Sequence, residues 1–232
     1  MEQGGLMGHG HGPLSQAMFL GSNIIGDIAW KAVAASADDL DQHLVALLLS
    51  AAWFEACLNE VSHELTEPIE LEATSDQLKK IRVSVQAAGV GERQISVERR
   101  LRVLAAALVS KPLAVDEAPW YEMLLLFRLR NWIVHLRPEK MNVRPGRDDE
   151  PSSLVSTQVH ELVTALLKVG AINAIPQGHM VPLAMAIRMP VVGPWAYRAA
   201  YNGLLELEKW CRPHLRVRFT ATAHRPKPIE AR

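Results

Sequence analysis

Apolar residues recur along this chain mostly at three- and four-residue spacing, and strict alternation is rare. The clearest case is the set Leu40, Leu44, Leu47, Leu48, Ala51, Ala52, Phe54, Leu58 and Val61. That spacing places them on one face of a helix. It predicts a long helix opened by Asp38 and Asp39 and ending near Leu65, before Pro68. An earlier helix is expected over Asn23–Ala35, capped by Ser22 or Asn23. A short one fits 75–87, and another fits about 95–109, with Leu101, Leu104, Ala105 and Leu108 on its apolar side and Arg100 among the polar positions.

The next helix is the one that draws attention. It follows Pro119, which suits a first turn, and it is apolar from Met123 to Phe127. It then runs into Arg128-Leu129-Arg130-Asn131-Trp132-Ile133-Val134-His135. Pro138 stops it, so His135 belongs to the last helical turn. Residues 138–153 read as a loop, with three prolines, a glycine and an acidic run. A helix is expected over Ser156–Val169, then a packed, proline-rich loop over 175–194, then a last helix from Trp195 to Cys211. Arg82–Val85 and Leu215–Phe219 are candidates for short strands.

These segments predict an all-α bundle of five or six helices over residues 23–211. Segments 66–92 and 175–194 read as insertions in it. Residues 1–22 read as a Gly-rich leader, with His9 and His11 as a weak metal-binding candidate. Residues 212–232 read as a basic tail.

Composition narrows the function classes. Lys plus Arg equals Asp plus Glu at 25 each, so no overall field draws polyanions and any attraction is local. Cys57 and Cys211 lie in amphipathic patterns and are expected to be reduced and buried. The most apolar early stretch, Ala17–Ala35, carries Asp27 and Lys31, which are costly in a bilayer. No membrane association is expected, and the expected location is cytoplasmic.

The local field lies beside the apolar helix. Arg128, Arg130, Arg137, Lys140, Arg144 and Arg147 crowd one segment in which Glu139 is the only acid. This basic patch predicts contacts to a phosphate backbone. Asn131 and His135, four apart, share a helical face, whereas Arg130 is rotated from His135 by about 140° on an ideal helix. RNA cleavage by the 2′-hydroxyl needs a base and an acid, and histidine, titrating near ~6.5, serves as either. Arg130 would stabilise the charge that builds on the phosphate. Asn131 would orient the phosphate or hold one His135 tautomer. This chemistry needs no metal and no cofactor.

Arg130-Asn131-Trp132-Ile133-Val134-His135 resembles the Arg-x4–6-His motif of the HEPN superfamily, in which a polar residue often follows the Arg. Ala52-Trp53-Phe54-Glu55-Ala56-Cys57-Leu58-Asn59-Glu60 is similar to an early helix of that family, where an acidic residue and a polar one four later face the motif. The resemblance spans roughly residues 38–210. It implies an all-α homodimer whose two motifs share one cleft. It also implies a metal-independent endoribonuclease of toxin–antitoxin, abortive-infection or other antiphage type, restrained by an antitoxin or other regulatory protein. Arg130 and His135 correspond to the catalytic pair, Asn131 to the accessory polar position, and Glu55 and Asn59, loosely, to the supporting positions. One toxin subgroup carries Tyr two residues after the His; here Arg137 stands there. The alternatives are a non-catalytic RNA- or nucleotide-binding or partner-docking module on the same basic cleft, and a helical interaction protein in which Arg130 and His135 are structural.

Overall fold

A computed structural model of the chain describes residues 13–36, 39, 41–66, 75–90, 95–135, 141–144, 153–156, 161–173, 182–215 and 219. The protein is all-α, with eight helices among these residues rather than five or six. They are α1 (Pro13–Ala35), α2 (Asp41–Thr66), α3 (Asp76–Ala87), α4 (Val97–Val109), α5 (Trp120–His135), α6 (Glu161–Lys168), α7 (Leu183–Ala186) and α8 (Val192–Cys211). Two four-residue strands, β1 (Met141–Arg144) and β2 (Ser153–Ser156), pair antiparallel with Met141 opposite Ser156 and Arg144 opposite Ser153.

The bundle is built around α2, which packs against α1, α8, α3 and α5. Of its expected apolar face, Leu47, Ala51, Phe54, Leu58 and Val61 are fully buried and Leu44, Leu48 and Ala52 half-buried; Trp53, Cys57 and Leu65 join the core beside them. By length and composition α2 would cross a membrane, but half of its most apolar window is buried inside the fold, as suits a core helix. Aromatic rings lock its neighbours on. Trp53 stacks on Tyr197 of α8 with ring centres 5.4 Å apart, and Phe54 meets Phe127 of α5 edge-on at 6.0 Å. Such pairs contribute about 0.5–1.5 kcal/mol beyond area burial.

Small residues set how closely these helices approach. A Cβ on Gly203 of α8 would lie 2.6 Å from Met123 Cγ of α5 and 3.0 Å from Phe54 Cε2 of α2. The glycine therefore lets three helices meet at one point, and α5 is positioned from there. Residues Met123 to Leu129 are buried apart from Leu124 and Arg128, but Asn131, Val134 and His135 are exposed. The first turns of α5 lie in the core, and its last turn projects from it.

Several expectations need correction. The first helix begins at Pro13, a residue suited to a first helical position. Ser22 is thus an interior residue, not a cap; it is buried and donates to Glu60 Oε2 at 3.3 Å. Arg82–Val85 is helical, inside α3, whose N-cap Ser75 accepts from Leu78 N. Leu215–Phe219 forms no strand at its described ends, and residues 216–218 lie outside the described residues. The expected loop over 138–153 contains β1 and leads into β2, so the following helix starts at Glu161 and not at Ser156. Within 175–194, α7 and the first turn of α8 are helical, with Pro194 held in that turn. The cysteines are free and buried. His9 and His11, and residues 220–232 of the tail, lie outside the described residues.

Candidate functional site

Three elements build a cleft of about 300 Å³: α2, the N-terminal turn of α4, and the outer half of α5. Glu55 reaches it from α2, Ser96 to Glu98 and Arg100 from α4, and Arg128, Arg130 and Asn131 from α5. Helical period explains the convergence. Glu55 follows the buried Phe54, and Arg130 follows the buried Leu129, so each stands at the edge of an apolar face where α2 meets α5.

Arg130 is the hinge of the arrangement. Its Nη1 donates to Asn131 Oδ1 at 3.0 Å, and its Nη2 lies 3.7 Å from Glu55 Oε2. Both members of this ion pair are about one-third exposed, at 38% and 33%. The guanidinium is thus steered by a carboxylate and an amide while part of it stays open to a ligand. Arg130, Asn131 and Glu55 come together as the sequence suggested.

His135 does not join them within one chain. It ends α5, exposed, one turn beyond Asn131 on the same face. The rotation of about 140° from Arg130 therefore persists. Arg128 is less free than expected, because its Nη2 lies 2.5 Å from Glu161 Oε1 of α6. Arg144 belongs to β1, and Arg137, Lys140 and Arg147 lie outside the described residues.

Asn59 takes part in a neighbouring structure that the sequence did not announce. Its Oδ1 accepts a short hydrogen bond from Arg100 Nη1. Arg100 is only 9% exposed. It separates the first cleft from a second of about 380 Å³, lined by Glu55, Asn59, Ser62, His63, Thr66, Val90 and Arg100. The available signal was positional. Arg100 stands one turn before Leu104, so it falls at the border of the apolar stripe of α4 and not on its solvent face.

Other buried polar groups lie away from this site. Burial lowers the His43 imidazole, while nearby Asp39 acts the other way. Burial raises the Glu60 carboxyl, with Ser22 opposing, and raises Glu122, with Arg198 opposing. Burial and the carboxylates of Glu60 and Glu208 push the Cys57 thiol well up, and Cys211 is pushed up to about 12. Such thiols are poor nucleophiles. Among the described residues, no three His, Cys, Asp or Glu side chains gather as a metal-binding group.

Compared with protein-family models, curated proteins and solved structures, the chain has no match.

Proposed function

We propose that the protein is a metal-independent endoribonuclease of HEPN type that works as a homodimer in the cytoplasm, as a toxin or antiphage effector restrained by an antitoxin or other regulatory protein. The observation that carries this reading is the held but accessible guanidinium of Arg130, steered by Glu55 and Asn131 at the mouth of a cleft. The position and sequence of the α5 tail, and its likeness to the Arg-x4–6-His motif, support it further.

In this reading, one His135 takes the proton of a ribose 2′-hydroxyl. The 2′-oxygen attacks phosphorus and the bond to the 5′-oxygen breaks. The other protomer's His135 donates the proton that this oxygen needs to leave as a hydroxyl. Arg130 holds the phosphate oxygens as their charge grows, through hydrogen bonds stronger to that charge than to the ground state. The products are a 2′,3′-cyclic phosphate and a 5′-hydroxyl.

The dimer answers the geometry of the single chain. Two acid–base groups must stand on opposite sides of the phosphate, and one chain supplies one His135. A two-fold axis near the ends of two α5 helices would bring both into one cleft. Val134, beside His135, is 54% exposed and offers an apolar contact for such a seam.

Subunit mixing tests this. Arg130→Ala and His135→Ala homodimers are each expected to be inactive on RNA, and exchanging His135→Ala subunits into the wild type is expected to lower cleavage as the square of the wild-type fraction, because a mixed dimer keeps a single His135. A wild type that cuts, with activity falling only in proportion to its fraction in the mixture, contradicts the composite site. A wild type that binds single-stranded RNA and leaves it intact supports the binding module instead.

A further inference from the structure

The charged groups lining the first cleft pair off, except one. Arg130 faces Glu55, Arg128 faces Glu161, and Glu98 is held by Arg102 at 2.7 Å. Arg100 remains. It is about nine-tenths buried, and among the described residues its guanidinium has only the neutral amide oxygen of Asn59 as a partner. Its Nε is buried without a hydrogen-bond partner. A guanidinium is always charged, and a buried charge without a counter-charge is strongly disfavoured. Such a group is retained at little advantage to stability, but it is ready to receive an anion.

Its surroundings suit that task. Arg100 lines both clefts, and Glu55 and Arg100 are the residues the two clefts share. Ser96, Val97 and Glu98, at the N-terminal end of α4, line the first cleft, where the helix dipole favours negative charge. The second cleft, of about 380 Å³, is within the usual range of small-molecule sites. Its wall is mixed. Val90 and the α2 side chains Asn59, Ser62, His63 and Thr66 offer an apolar surface and polar edges together, as a nucleoside requires.

We propose that Arg100 anchors a second nucleotide subsite, binding a phosphate next to the one held by Arg130, while the cleft bounded by Asn59, Ser62, His63, Thr66 and Val90 takes the nucleoside joined to it. The choice of a nucleotide rests on the nuclease reading; the anion site does not. The subsite fixes where single-stranded RNA lies along the protein, and so which bond reaches Arg130 and His135.

The test is titration of the full-length protein with inorganic phosphate and with adenosine, guanosine, cytidine and uridine 5′-monophosphates. At least one monophosphate should bind more tightly than phosphate. Arg100→Gln should weaken it at least about tenfold, the loss of one charge-assisted hydrogen bond. Because Arg100→Gln disturbs a buried contact, Asn59→Asp serves as a second variant. It gives the guanidinium the carboxylate it lacks, so it should lower monophosphate affinity by a similar factor while the melting temperature stays level or rises. Wild-type affinity in a folded Arg100→Gln or Asn59→Asp protein overturns the subsite, as does wild type that binds none of the monophosphates. Monophosphate binding that needs Arg100, in a protein that never cuts RNA, keeps the subsite and removes the nuclease reading. RNA cleavage with unchanged binding in the variants does the reverse.

Discussion

Replacing Arg130 by Gln separates a phosphate-binding role from a structural one, because the two roles predict opposite magnitudes. The partner, Glu55, lies 3.7 Å away, and both side chains are one-third exposed or slightly more. Ion pairs in that setting contribute about 0–1 kcal/mol net. Gln keeps some hydrogen-bonding capacity toward Asn131, so Arg130→Gln should lower unfolding free energy by no more than about 1 kcal/mol. In the site the same guanidinium makes charge-assisted hydrogen bonds to phosphate, each contributing about 1.5–3 kcal/mol. Affinity for a single-stranded RNA with a 2′-deoxy block at the cut should therefore fall roughly 10- to 150-fold. Losing one phosphate contact should also reduce the slope of log K against log salt by about 0.7. Urea unfolding gives the first quantity, and fluorescence anisotropy over a salt series gives the other two. Unchanged affinity and slope, together with a stability loss of about 2 kcal/mol or more, would show that Arg130 is a buried-network residue and refute the phosphate role.

Other outcomes follow from the core. Gly203→Ala gains about 1 kcal/mol of helix propensity but forces a Cβ to 2.6 Å from Met123 Cγ and 3.0 Å from Phe54, an overpacking that costs about 1–3 kcal/mol; the urea midpoint should fall. His43 is buried with its imidazole lowered by desolvation, so its contribution to stability is present above its ordinary value of 6.5 and is lost as pH falls through the lowered folded value. His43→Leu should flatten that stretch of a stability–pH curve, and an unchanged slope counts against the assignment. Glu60 acts in the opposite sense, since its raised carboxyl favours the fold below 4.5 and that contribution is lost as pH rises through the raised value. Cys57 and Cys211 should react with a thiol reagent only at the rate of unfolding, and fast labelling of the native protein contradicts their burial.

What the sequence made legible was whatever a helical period or a cap encodes locally. Leu47, Ala51, Phe54, Leu58 and Val61 of the α2 stripe read directly as a core face, and α3 and α4 lie close to the helices expected over 75–87 and 95–109. Two strands of four residues are too short to display a period of two, so the hairpin at 141–156 read as a loop. Pro194 argued against a helix there, yet a first turn has no intrahelical use for the amide that proline lacks, and α8 begins at Val192. Within the site, Arg130 and Asn131 were marked by their place at the end of an apolar run. The pairing of Arg130 with Glu55 spans two helices distant in sequence, and only packing specifies it. Arg100 was read as one charge among several on α4; its place one turn before Leu104 marks it as a border residue of the apolar stripe, but its hydrogen bond to Asn59 of α2 is specified only by packing.

The most direct test of the central claim is RNA cleavage in the presence of EDTA, by wild type, Arg130→Ala and His135→Ala, with the product ends identified. Expected is cutting by wild type alone, leaving 2′,3′-cyclic phosphate and 5′-hydroxyl ends. Cleavage that EDTA abolishes, or that both folded variants retain, would contradict it.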